Sequence, residues 1–160
     1  MKVLALDLGT DTGFAYGDSR NPVPEVGHWT LASKKEITDW GKNRMARRSD
    51  PRIFRLHLQV QNFAPDLVIF EDVQFQTYTY QTQLWASLRA AVWCAFPRTL
   101  FECVPVVTLK KFATGHGFAD KEKMMNALLK LSPAFNRATL TDDEADAAWL
   151  WLWAKKHVSL

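Results

Sequence analysis

The chain has 160 residues, of which 48% are hydrophobic and 23% charged, proportions that exclude a disordered or low-complexity protein. Its length suits one hydrophobic core, so residues 1–160 are expected to form a single domain. The formal net charge of +3 excludes a strongly acidic protein and leans toward a polyanionic partner, the more so if some acids are sequestered.

Residues 2–8 read as a buried strand, with Val3, Ala5 and Asp7 on one side and Leu4, Leu6 and Leu8 on the other. Gly9-Thr10-Asp11-Thr12-Gly13 is a predicted turn, and 14–17 returns as the second strand of a hairpin. A third strand is expected over 27–31. The polar stretch 34–49 has no clear assignment. Asp50-Pro51 marks a helix start, a capping residue followed by proline at the first helical position, and that helix runs to about 63. Residues 67–70 form an apolar strand ending in Glu71. A helix is predicted over 82–96, a strand over 100–104, a short helical piece over 108–113 and a helix from Asp120 to 131. Thr141 caps a last helix running to about 156. Three strands in hairpin order, followed by strands alternating with helices, predict an α/β fold with a mixed sheet covered by helices.

No apolar run is long enough to cross a bilayer and no leader precedes the first strand, so a cytoplasmic protein with no membrane partner is expected. Cys94 and Cys103 lack metal-ligand spacing and read as reduced core or near-core thiols.

Four acids attract a functional reading. Asp7 sits in an apolar strand, where an unpaired carboxylate is expensive unless it meets a cation, hydrogen bonds or solvent. Glu71 repeats the pattern on a second strand. A strand-terminal acid that opens a turn is the plainer reading of either, and two at comparable positions weaken it. On the last helix, Thr141-Asp142-Asp143-Glu144 is a capping box that accounts for Asp142 and Glu144 and partly for Asp143. Asp146 lies among Ala145, Ala147 and Ala148, small residues that let a helix approach a sheet closely, and it shares a face with Asp143. Four clustered carboxylates repel unless a cation lies between them. Two Mg²⁺ ions, with Mn²⁺ as a substitute, suit hard oxygen donors and can clamp both sides of a phosphodiester. Asp66, Asp120 and Glu122 read as caps and surface charges.

Together these residues resemble the RuvC-type Holliday-junction resolvases of the ribonuclease H-like superfamily. The resemblance rests on Leu6-Asp-Leu-Gly-Thr10 with the following Thr12-Gly13, and on Phe63-Ala-Pro-Asp-Leu-Val-Ile-Phe-Glu71. It continues through Lys110, the loop Gly115-His-Gly-Phe-Ala-Asp-Lys121, Leu128-Leu-Lys-Leu-Ser-Pro133 and Asp143-Glu-Ala-Asp146. It implies a five-stranded ribonuclease H-like sheet, three antiparallel strands and then parallel ones. It also implies a homodimer that nicks four-way DNA symmetrically, leaving 5′-phosphate and 3′-hydroxyl ends, with no small-molecule cofactor. By position, Asp7, Glu71, Asp143 and Asp146 match the metal-binding acids, and Lys110 and Lys121 match basic residues needed for cleavage. Asp7 and Asp146 would share one ion, Glu71 would bridge, and Asp143 would complete the second site. The segment after Glu71 matches the junction-contacting region, where Phe75 and Tyr78 are candidates for stacking on unpaired bases; Phe75 equally suits packing under the next helix. Lys111, His116, Arg47 and Arg48 are further DNA-binding candidates, the arginines within a basic run that also suits a solvated loop.

Two departures stand out. Ala86-Ser-Leu-Arg89-Ala-Ala replaces a glycine-flanked arginine on the helix that contributes to the family's dimer interface. The 34–48 stretch is unfamiliar. Such divergence suits a relaxed nuclease acting on forks, flaps or RNA as well as a dedicated resolvase. Asp7-Leu-Gly-Thr-Asp-Thr-Gly13 also resembles the phosphate loop of actin-like ATP-binding proteins, although no second phosphate motif follows. Trp149 and Trp153 share a helix face and suit core packing, with Trp151 a candidate dimer contact. His28, His57 and His157 form no ligand pattern with the cysteines.

Overall fold

The computed structural model describes residues 1–42, 50–72, 79–136 and 138–158. Strands β1 (Lys2–Asp7), β2 (Asp11–Asp18) and β3 (Glu25–Thr30) form an antiparallel meander. Strand β4 (Leu67–Asp72) joins β1 in parallel, and β5 (Leu100–Pro105) joins β4 in parallel. The sheet order is β3-β2-β1-β4-β5, the mixed arrangement expected from the sequence.

Alternation along the two central strands decides what each face meets. Leu4, Leu6, Val68 and Phe70 pack against helices α2 (Pro51–Val60) and α3 (Thr79–Ala95) through Leu56, Val60, Leu88 and Val92. Val3, Ala5, Leu67 and Ile69 pack on the opposite face. That face is covered by α4 (Val106–Thr114), α5 (Lys121–Leu131) and α6 (Asp142–His157). Helix α6 is apolar nearly all round because it is buried nearly all round, lying across β1 and β2 beneath α5. Among the described residues, no helix is long and apolar enough to cross a membrane.

The predicted caps hold. Asp50 accepts from the Arg52 N–H, Asp120 from the Lys123 N–H and Thr141 from the Glu144 N–H. Several boundaries differ. Strand β2 starts at Asp11, because the Thr12 hydroxyl donates to the Gly9 carbonyl (2.8 Å) and shortens the turn. The unassigned stretch contains α1 (Lys34–Lys42), started by a reciprocal cap between Ser33 and Glu36. Helix α3 begins at Thr79, its first turn anchored where Tyr80 takes a hydrogen bond from Arg52. Trp151 is not a dimer contact: it is fully buried within the chain, its indole N–H donating to the Gly17 carbonyl (3.3 Å). Cys94 is exposed rather than in the core, while Cys103 is half-buried with its thiol pushed up by burial.

Candidate active site

Asp7 closes β1 on the α6 face of the sheet, in line with Val3 and Ala5. Glu71 follows Leu67 and Ile69 on the same face of β4. Leu6 and Phe70 are paired in parallel register, so the next residues, Asp7 and Glu71, are neighbours at the carboxyl end of the two central strands.

The remaining two acids arrive on α6, and the sequence shows why that helix comes so close. Ala145, Ala147 and Ala148 are almost wholly buried against the sheet. Opposite them, Gly13 pairs with Asp7 across the hairpin. A Cβ on Gly13 would stand 2.0 Å from the Asp143 carbonyl oxygen, so only glycine admits the first turn of α6 here. That turn is fixed twice more. Thr141 and Glu144 cap each other, at 3.2 Å for the Glu144 N–H and 2.7 Å for the Thr141 N–H. Glu144 also contacts His28 of β3, its Oε1 lying 3.0 Å from Nδ1. A tether from α6 to the sheet is therefore added to the plain capping role expected of Glu144.

All four carboxyls are pushed upward. Burial raises Asp7 well above its usual range, reinforced by Glu71, Asp146 and Asp143. Burial and Asp146 bring Glu71 from 4.5 to about 7. Burial raises Asp146 from 3.8 to about 6 and also raises Asp143, against the pull of Lys121 on both. Lys121 opposes the shift at all four acids, and Lys110 does so at Glu71 and Asp146. The lysines thus face the carboxyl cluster, one from the start of α5 and one from α4. Lys121 also lies 3.8 Å from Asp142 at the rim.

This donor set suits a divalent cation: only hard oxygens, drawn together from three elements and carrying more repulsion than the two lysines relieve. Among the described residues, no three Asp, Glu, His or Cys side chains converge closely enough to hold an ion as they stand.

Of the other candidates, Lys111 and His116 are exposed beside the loop that leads into Lys121. Phe75, Tyr78, Arg47 and Arg48 lie outside the described residues. One polar centre was not anticipated. Arg52 is almost wholly buried, paired with Asp50, donating to the Thr10 hydroxyl (2.8 Å) and to the Tyr80 hydroxyl, and lying over Trp40. It ties the turn after Asp7 to the start of α3, and nothing in its sequence neighbourhood marks it. Gly13, read from the sequence as the end of the turn, lies inside β2, where a glycine marks a close approach of another backbone.

No protein-family model and no curated protein matches the chain. Solved structures do. T. thermophilus RuvC in complex with a Holliday-junction substrate aligns with a TM-score of 0.71 at 19% identity, covering 95% of this chain and 91% of that one. The yeast mitochondrial Holliday-junction resolvase Ydc2 aligns at 0.62 and 14% identity, covering 97% and 80%. The fowlpox virus resolvase, solved with Holliday-junction DNA, aligns at 0.59 and 14%, covering 98% and 97%. Over nearly its whole length, then, the chain has the ribonuclease H-like fold of RuvC.

Proposed function

We propose that the protein is a divalent-metal-dependent endonuclease that cleaves branched DNA, with four-way junctions as its principal substrate. The observation that supports this reading is that Asp7, Glu71, Asp143 and Asp146 lie within electrostatic reach of one another and of Lys110 and Lys121, at one end of a sheet whose fold is that of RuvC. Asp7, Glu71, Asp143 and Asp146 would hold the cations, two Mg²⁺ ions in our reading. Bound there, such ions would supply Lewis acidity for activating water and for stabilising the leaving 3′ oxygen. The chain's own part is positional and electrostatic. Carboxyls crowded by burial and by one another gain most from exchanging a proton for a cation. Lys121 and Lys110 hold the scissile phosphate beside them and offset charge that develops on it. The cleaved strand would carry a 5′ phosphate and a 3′ hydroxyl.

Paired nicks require two sites, so we propose a homodimer. The outer side of α3 and the edge strand β5 suit the contact, because Trp93 and Leu100 are 43% and 52% exposed there. The turn after Asp7 argues against an ATP-binding role. Its Gly9 N–H is taken by the Thr12 hydroxyl (3.3 Å), so that donor serves the turn rather than a phosphate.

The test is cleavage of end-labelled immobile four-way DNA in Mg²⁺, beside fork, flap and linear duplex. Symmetric paired nicks are expected, reduced more than about a hundredfold in Asp146→Asn. Equal cutting of forks and flaps would assign a general branch nuclease instead. A folded protein that cuts none of them would overturn the nuclease reading.

A further inference from the structure

Phe118 is 92% exposed, far more than any other large hydrophobic residue described; Phe54 follows at 65%. That exposure is built into the loop. On one side Gly117 lies so close to Val107 that a Cβ would stand 2.7 Å from the valine methyl. On the other side Ala119 is buried, its N–H donating to the His116 carbonyl (3.3 Å). The His116 N–H donates to the Thr114 hydroxyl (3.2 Å), and Gly115 closes α4 in the left-handed conformation at φ 81°. Held at both ends, the loop presents the ring outward.

The surroundings show what such a ring can meet. Phe118 borders an open cleft of about 440 Å³ with Val107, Gly117 and Ala119 on its floor and Lys111, His116 and Lys123 around it. Three residues further on stands Lys121, which faces all four carboxyls. Three residues of chain span at most about 11 Å between Cα atoms, so the loop that carries the ring adjoins the backbone of Lys121. An exposed aromatic between a glycine loop and lysines has the two elements of a nucleic-acid contact: a flat face for a base and cations for the adjoining backbone.

We propose that Phe118 is a base-stacking residue of the DNA-binding face, holding a base next to the scissile phosphate. The inference rests on the branched-DNA reading and adds a contact to it. The ring supplies stacking area but no charge, so it strengthens binding without adding to its salt dependence. Lys111, by contrast, acts through phosphate.

Junction affinity of the full chain, measured by fluorescence anisotropy in Ca²⁺ over a range of salt concentrations, tests this. Phe118→Ala and Phe118→Leu should each weaken binding at least fivefold, and Phe118→Trp should restore it, because stacking needs a ring and not merely apolar volume. The slope of log affinity against log salt should stay unchanged in Phe118→Ala and fall by about one in Lys111→Ala. A 2-aminopurine beside the cleavage point should be quenched by wild type and regain fluorescence with Phe118→Ala. A side chain this exposed leaves the thermal midpoint unmoved. Wild-type binding that Phe118→Ala and Phe118→Leu leave unchanged overturns the inference alone. So does a Phe118→Ala variant that sediments at lower mass with its junction affinity intact, which would assign the ring to a protein contact. A wild type that binds no branched or linear DNA overturns the nuclease reading, and this inference with it.

Discussion

Glu71 and Asp146 hold protons that the same residues in an unfolded chain release at much lower pH. Their ordinary values are 4.5 and 3.8; burial first, then neighbouring acids, brings them to about 7 and about 6. The folded state therefore binds more protons than the unfolded state between those limits, and stability falls as pH rises. Acids held below their usual range, such as Glu36 beside Arg55 and Asp50 beside Arg52, act in the opposite sense, but only where unfolded carboxyls still titrate, below about pH 5. Between about pH 5 and 7.5, in chelator, the urea midpoint of the wild type should decline steadily. Glu71→Gln with Asp146→Asn should flatten that decline, and Mg²⁺ should reduce it by taking the place of the protons. A wild-type midpoint indifferent to pH in that window would mean the carboxyls are not crowded. Lys121→Ala should slow cleavage by about 10²- to 10³-fold, the usual loss of one positioned electrostatic group. A variant that cuts at the wild-type rate would free Lys121 of any role in the site.

Helix α6 depends on what it is allowed to approach. Gly13→Ala places a methyl group 2.0 Å from the Asp143 carbonyl oxygen, a backbone atom that cannot rotate away. Overpacking of this kind costs about 1–3 kcal/mol and should lower the thermal midpoint. Because the helix must lift where it carries Asp143, cleavage should fall further than the stability loss explains, measured at a temperature where the variant is still folded. Gly17→Ala, on the same strand, is the matched control. Its Cβ would meet Pro24 and Trp151 at an ordinary 3.5 and 3.7 Å, so cleavage should track stability alone. Equal cleavage losses in the two would deny Gly13 its special place. Caps were legible because capping is local chemistry: Asp50, Asp120 and Thr141 are each identified by the residue that follows or by the apolar run beyond. The Ser33–Glu36 cap is as local, but α1 is short and carries only Ile37 and Trp40 at helical spacing within a polar stretch, too few apolar positions to mark it.

Across the molecule, Arg89 on α3 has its guanidinium between Trp85 and Trp93, 4.3 and 4.8 Å from their ring centres, and the outer ring remains exposed. An exposed tryptophan over a cation, beside the open edge of β5, is a surface suited to a second copy. The protein should sediment at twice its 18.3 kDa mass, and Trp93→Glu should return it to one. That monomer should keep its fold and turn paired nicks into single ones. A wild type that sediments as a monomer at micromolar concentration would place the second site elsewhere.

Sequence alone determined where the strands and most of the helices lie, and the two faces of β1. Each follows from alternation, turn chemistry and caps, which act over a few neighbouring residues. Tertiary structure alone decided how close α6 comes to Gly13, that His28 reaches Glu144, and that Arg52 joins Thr10 to Tyr80. It also decided that Trp151 is buried while Phe118 and Cys94 are not. Those outcomes depend on residues many positions apart meeting in space, and burial belongs to the packed molecule rather than to a residue type. An aromatic ring in a glycine loop and one on a buried helix read alike until the surrounding elements close over one and leave the other open.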